Sequence, residues 1–98
     1  MKVRFTLEAQ SRVRTVGTWW RKHGIAVDLF ERELAEVQEK VLATPTLGVT
    51  YRTVRGRVIL RILMPKTQQH FYYSVDSHED VIVVHTIWGA RRGRGPKL

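Results

Sequence analysis

Val58-Ile59-Leu60-Arg61-Ile62-Leu63-Met64, Gln69-His70-Phe71-Tyr72-Tyr73-Ser74-Val75 and Val81-Ile82-Val83-Val84-His85-Thr86-Ile87-Trp88 are the stretches that decide the fold. Each is rich in the β-branched, aromatic and aliphatic side chains that fit a pleated surface. Polar turns separate them: Pro65-Lys66-Thr67-Gln68, then Asp76-Ser77-His78-Glu79-Asp80. Connections this short join antiparallel neighbours, so the three runs predict a meander. Val81 to Val84 is apolar at every position, which calls for a central strand covered on both faces. Tyr72 and Tyr73 point to opposite faces, so at least one belongs to the core.

The cover has to come from upstream. Lys2 to Thr6 alternates charged and apolar residues and predicts a short strand. Thr6 then suits a helix N-cap, with Glu8 in the first turn where a carboxylate favours the helix dipole. Ala9, Val13, Val16 and Trp20 follow at helical spacing and predict one apolar stripe over about Leu7 to Lys22. Trp20 fits that stripe, which leaves its neighbour Trp19 exposed. Gly24 is placed to end the helix in a left-handed conformation. Ala26, Phe30, Leu34, Val37 and Val41 trace a second helix, with Glu31, Glu33, Glu36 and Glu39 between them. Thr44-Pro45 stops it. Residues 7–43 therefore predict an antiparallel helical hairpin. Thr46 to Thr50 reads as a loop and Tyr51 to Val54 as a short extended piece. The expected fold class is α+β: an N-terminal strand, a two-helix hairpin, then a three-stranded antiparallel meander.

One domain is the natural count for 98 residues, with 89–98 a basic, glycine-rich arm expected to be loosely held. A hydrophobic share of 43% against 27% charged residues argues against disorder throughout. With no cysteine there is neither a disulfide framework nor a cysteine-based zinc site. That suits a reducing cytoplasm, and no apolar stretch predicts a signal peptide or a membrane span. No cofactor and no metal site is expected.

Charge is the most informative quantity. Residues 1–49 carry eight basic and six acidic side chains, whereas residues 50–98 carry nine and three, so most of the net +8 lies in the second half. The partner met there is expected to be polyanionic: nucleic acid, a nucleoprotein or an acidic protein segment. Arg91, Arg92, Arg94 and Lys97 fall on glycine-interrupted backbone that can approach phosphates closely without reading sequence. The alternative for the same residues is a solubilising tail.

Several segments taken in order resemble the RelE/ParE toxin superfamily, over essentially the whole chain. They are Val3-Arg4-Phe5-Thr6, Trp19-Trp20-Arg21, Phe30 to Leu34, and Leu47-Gly48 after Pro45. More specific are Arg61 to Thr67, His70 to Val75, and Trp88-Gly89-Ala90-Arg91-Arg92-Gly93-Arg94-Gly95-Pro96. The resemblance is nearest to the ParE branch of plasmid-stabilisation proteins. It implies a toxin of a type II toxin–antitoxin system, with a cognate antitoxin protein as partner. The target it implies is either DNA gyrase, poisoned without catalysis, or messenger RNA cut on the ribosome.

The RelE branch cuts with two lysines on one strand, arginines on later strands and a C-terminal tyrosine. At the corresponding positions this chain has Arg61, Leu63, His70 and Arg91, and no tyrosine follows Tyr73. Leu63 supplies no charge, and Gly89 stands where many relatives carry histidine. A RelE-like reading leaves Arg61, His70 and Arg91 as the catalytic candidates, His70 as acid or base through its ordinary pKa near 6.5. A ParE-like or nucleic-acid-binding reading uses Arg61, Lys66, Arg91, Arg92, Arg94 and Lys97. Arg61 also admits a purely structural role, since an arginine inside an apolar strand must find a partner. His70 and His85 admit the same. Trp19 and Trp88 are the candidates for antitoxin contact. A third reading, outside toxin biology, is a basic RNA- or ribosome-binding module.

Overall fold

A computed structural model describes residues 1–98. Its elements run β1 (Lys2–Phe5), α1 (Leu7–His23), α2 (Leu29–Ala43), β2 (Val49–Val54), β3 (Arg57–Met64), β4 (Gln69–Asp76) and β5 (Val81–Gly89). They form one five-stranded sheet in the order β1-β5-β4-β3-β2, with β1 parallel to β5 and every other pair antiparallel. The predicted meander is present and one strand longer than expected. The piece beginning at Tyr51 starts two residues earlier, at Val49, and forms the edge strand β2. No helix is long and apolar enough to cross a membrane.

The helical hairpin covers one face of the sheet. Ala9 and Val16 of α1, and Phe30, Leu34, Val37 and Val41 of α2, meet Met64, Phe71, Tyr73, Ile82, Val84 and Ile87 in one buried cluster. Val84 and Ile87 are three residues apart, so strict alternation would send them to opposite faces. A bulge between the Tyr72–Thr86 and Tyr73–Val84 pairs leaves His85 as the extra residue. The shift returns Ile87 to the helix side. β5 lies between β1 and β4, and its Ile82, Val83 and Val84 are all buried, as a doubly apolar run requires.

Thr6 caps α1 by accepting from the Ala9 amide at 3.1 Å, and α2 ends at Ala43 just before Pro45. Two expectations about the hairpin need correction. Gly24 is extended (φ −78, ψ 144), not left-handed; a side chain there would lie 2.6 Å from the Trp20 ring, so close packing requires the glycine. α2 begins at Leu29, leaving Ala26 in the connection despite its helical spacing.

Glu33 departs most from its sequence pattern. It sits on α2 among surface glutamates, yet it is 4% exposed. Its carboxylate accepts from the Lys66 amide at 2.7 Å, the Thr67 amide at 2.9 Å and the Thr67 hydroxyl at 2.6 Å. The β3–β4 turn would otherwise bury unpaired donors against the helix; the carboxylate satisfies them and fixes the turn.

Candidate functional site

The sheet face opposite the helices carries Arg61, Leu63, His70, Tyr72, Ser74 and His85. Arg61 pairs across the strands with Tyr72, and His70 with Leu63. The bulged Tyr51 of β2 meets Tyr72 edge-to-face at 4.9 Å, and Arg61 lies over the Tyr51 ring at 5.5 Å. Arg61 therefore finds an aromatic partner, with no carboxylate ion-paired to it. His70 meets Tyr72 edge-on at 5.9 Å. Burial, and then the nearby Arg61 charge, hold the His70 pKa below its ordinary 6.5. Burial likewise lowers His85, followed by the charges of Arg57 and Arg4, and its Nε2 lies 2.8 Å from Ser74 Oγ.

The C-terminal arm folds over this face; it is not loosely held. Trp88 Nε1 donates to the Arg94 carbonyl at 2.8 Å, and the Tyr51 hydroxyl donates to the Pro96 carbonyl at 3.2 Å. Pro96 is buried. Gly95 passes so close to Tyr51 that a Cβ would clash with its hydroxyl oxygen. Tyr72 is buried on this side while Tyr73 is buried on the other, so both tyrosines belong to the interior. The Tyr73 hydroxyl donates to the Pro45 carbonyl and accepts from the Gly48 amide, tying the α2–β2 loop to the sheet.

A second concavity opens on the helix side, with a volume of about 640 Å³. One wall is α1, through Arg12, Thr15, Val16, Trp19 and Trp20; the other is the Glu33-clamped turn, Lys66 to Gln69. Gly89, Arg91 and Arg92 close its end. Arg12 donates to the Ile87 carbonyl at 3.1 Å and sits 5.5 Å from the Trp88 ring, which Arg92 also covers at 4.2 Å. Lys66 is within 3.6 Å of Glu36, whereas Arg12, Arg91 and Arg92 have no ion-pair partner. Trp19 is 52% exposed, as its place off the apolar stripe predicts.

The expected cations thus divide among three surfaces. Arg61 and His70 share the open face. Lys66, Arg91 and Arg92 share the groove, which neither Arg61 nor His70 lines. Arg94 and Lys97 line a smaller cleft with Glu8, Thr86 and Trp88. Trp88 is half-buried and engaged by its own chain on both ring and N–H. Sequence reasoning missed Arg12, Thr15 and Gln69 in the groove, and Tyr51 on the open face. Arg12, Thr15 and Trp19 could have been found together, because spacings of three and four place them on one helix face.

No protein-family model and no curated protein sequence matches the chain. Solved structures do. One is a chain of the archaeal RelE–RelB complex from Pyrococcus horikoshii OT3, with a TM-score of 0.64 at 13% identity over 94% of this chain and 97% of that one. Another is the isolated E. coli RelE toxin, with a TM-score of 0.60 at 20% identity over 94% of this chain and 86% of that one. The fold is that of RelE. At these identities the likeness covers architecture, and it extends from end to end of the RelE-type layout: first strand, helical hairpin, meander.

Proposed function

We propose that this chain is the toxin of a toxin–antitoxin pair, and that it inhibits DNA gyrase by binding, without a reaction of its own. The RelE-type fold over 94% of the chain, once in a structure that pairs RelE with RelB, supports the toxin. The division of Arg61 and His70 from Arg91 supports binding over catalysis. A metal-free phosphodiester cleavage needs its proton acceptor, its cations and its leaving-group acid around one phosphorus atom. Here Leu63, 44% exposed, faces His70 across the strands and supplies no charge, and the arm is held against Tyr51 and Trp88 of the same face. What remains is a basic, aromatic surface suited to an anionic or acidic partner. The antitoxin is proposed to lay an acidic amphipathic segment over Trp19 and the basic C-terminal surface.

Purified gyrase in a supercoiling assay tests the target. The expected result is loss of supercoiling with trapped, cleaved DNA; full activity at a large excess of this protein would remove gyrase as the target.

One observation favours a second reading, a ribosome-dependent endoribonuclease. His70 shares the open face with Arg61, and burial and then the Arg61 charge lower its pKa below the ordinary 6.5, which suits a general base next to a phosphate-binding cation. Primer extension on translated messages separates the two. Codon-phased cuts that disappear in His70→Ala favour the nuclease, and their absence favours binding.

A further inference from the structure

The end of the helical hairpin, where α1 stops at His23 and α2 begins at Leu29, carries apolar side chains that the fold does not use. Ile25 is fully exposed, Val27 is more than half exposed, and Trp19 stands half exposed one turn before α1 ends. Single exposed apolar residues are ordinary on a protein surface, but three within the nine residues 19–27, at the apex of a hairpin, form a patch. The packing of this end is complete without them. Phe30 enters the core and Trp20 packs against it. The Gly24 amide donates to the Trp20 carbonyl at 2.9 Å and the Leu29 amide to the Ala26 carbonyl at 3.1 Å, so the connection satisfies these backbone groups internally.

Charge at this end is one-sided. Its two carboxylates are each ion-paired, Glu31 with Arg21 at 2.7 Å and Asp28 with Arg32 at 3.1 Å. Lys22 is left without an acidic partner, and so are Arg12, Arg91 and Arg92 on the other side of Trp19. A fully exposed aliphatic tip, an exposed tryptophan and free cations therefore follow one another along one end of the molecule.

We infer that the hairpin end docks on an anionic phospholipid surface, with Ile25 and Val27 entering the acyl boundary, Trp19 at headgroup level, and Lys22 and the neighbouring arginines against the lipid phosphates. Tryptophan favours this boundary because its ring is apolar and its N–H can stay hydrated. Neither signal suffices alone: a small apolar insertion or a few cations bind marginally, and the two together anchor. The convex apex decides between occupants. A protein partner would need a pocket shaped to receive Ile25, whereas a bilayer receives an exposed aliphatic side chain with no complementary shape. The inference does not rest on the toxin reading; an antitoxin segment laid over Trp19 would compete with the bilayer for the same end.

Co-sedimentation of the full chain with vesicles of phosphatidylcholine alone, and of phosphatidylcholine mixed with phosphatidylglycerol, tests it. Binding is expected to the anionic vesicles and not to the neutral ones. Raising salt from about 0.1 M to about 1 M shortens the Debye length from about 10 Å to about 3 Å and should release most of the bound protein. Ile25→Ser combined with Val27→Ser should weaken binding by about ten-fold or more. Ile25→Leu keeps the apolar area and should bind as the wild type does. Lys22→Ala should cost about five-fold, and Arg52→Ala, on the strand at the far edge of the sheet, less than that. Tryptophan emission should shift to the blue on the vesicles, and the shift should shrink in Trp19→Phe. Because Ile25 and Val27 are exposed, melting curves of their serine variants should match the wild type. Failure to bind either vesicle overturns the inference. So does anionic-vesicle binding that the Ile25/Val27 serine pair leaves unchanged, because charge alone would then account for it. Labelled polyglutamate stands for the other occupant: if its binding falls in the serine pair as far as vesicle binding does, the tip belongs to an acidic protein and the lipid assignment is wrong.

Discussion

Replacing Glu33 by alanine should cost this protein a large part of its stability, although a sequence pattern would rank it with the surface glutamates. The carboxylate accepts three hydrogen bonds, two from the Thr67 amide and hydroxyl and one from the Lys66 amide. Thr67 is 5% exposed, so in Glu33→Ala its two donors lose their acceptor out of reach of bulk water. An orphaned buried donor costs about 1–3 kcal/mol. The Lys66 amide belongs to an exposed residue and can rehydrate. Part of the loss is offset because the carboxylate no longer has to be desolvated. The net expectation is about 3 kcal/mol. For a domain of this size that lowers the melting temperature by about 12–24 °C. Urea unfolding followed by circular dichroism measures it, with Glu36→Ala as the control. Glu36 meets Lys66 Nζ at 3.6 Å between half-exposed groups, a pair worth at most about 1 kcal/mol. If Glu33→Ala costs no more than Glu36→Ala, the clamp contributes little and the reasoning is wrong.

Stability should also depend on pH in a direction set by His70 and His85. Both are held below their ordinary 6.5, so over that interval the unfolded chain binds more protons than the native one. Stability is then complete above about pH 6.5 and falls as pH drops through that value toward the folded pKa values. Tyr73 is shifted upward by burial, so its contribution disappears as pH rises above its ordinary 10.0. Differential scanning calorimetry between pH 7.5 and 5.5 should show a decline (chosen to bracket the ordinary histidine value of about 6.5) that shrinks in a His70→Gln, His85→Gln double variant. An undiminished decline would assign it to other groups. Tyr51→Phe, which removes the arm's bond to the Pro96 carbonyl, should cost about 1 kcal/mol, and Gly95→Ala should release the arm to limited proteolysis. Unaltered protease resistance in Gly95→Ala would contradict the close Tyr51 contact. Under the proposed function, an antitoxin at about a thousand times its Kd should add about 4 kcal/mol to the complex, visible as a melting shift of more than about 15 °C.

Much of the architecture is legible in the chain because local signals and burial agree there. The Thr6 cap, the Ala9–Val16 stripe, the Pro45 stop and the doubly apolar Val81–Val84 run each have one cheap structural solution. β2 is harder to read because it is an edge strand, largely exposed and interrupted by the Tyr51 bulge, so it lacks alternation. The burial of Glu33 leaves no mark in the sequence, because it depends on donors arriving from a turn more than thirty residues away. The arm's docking rests on the same kind of distant contact, a glycine and a proline meeting Tyr51. In the candidate site the cations were legible as charges but not as groups. Which of them share a surface follows from the α1 face and the turn of the chain after β5, and composition carries no trace of either.

The proposed function is that this fold, with this surface, arrests cells until a partner covers it. Inducible expression of the chain in bacteria, alone and together with the product of the adjoining reading frame, measures that directly. The account predicts that growth stops when the chain is induced by itself and resumes when the two are co-expressed. Unimpaired growth with the folded protein accumulating alone would contradict it.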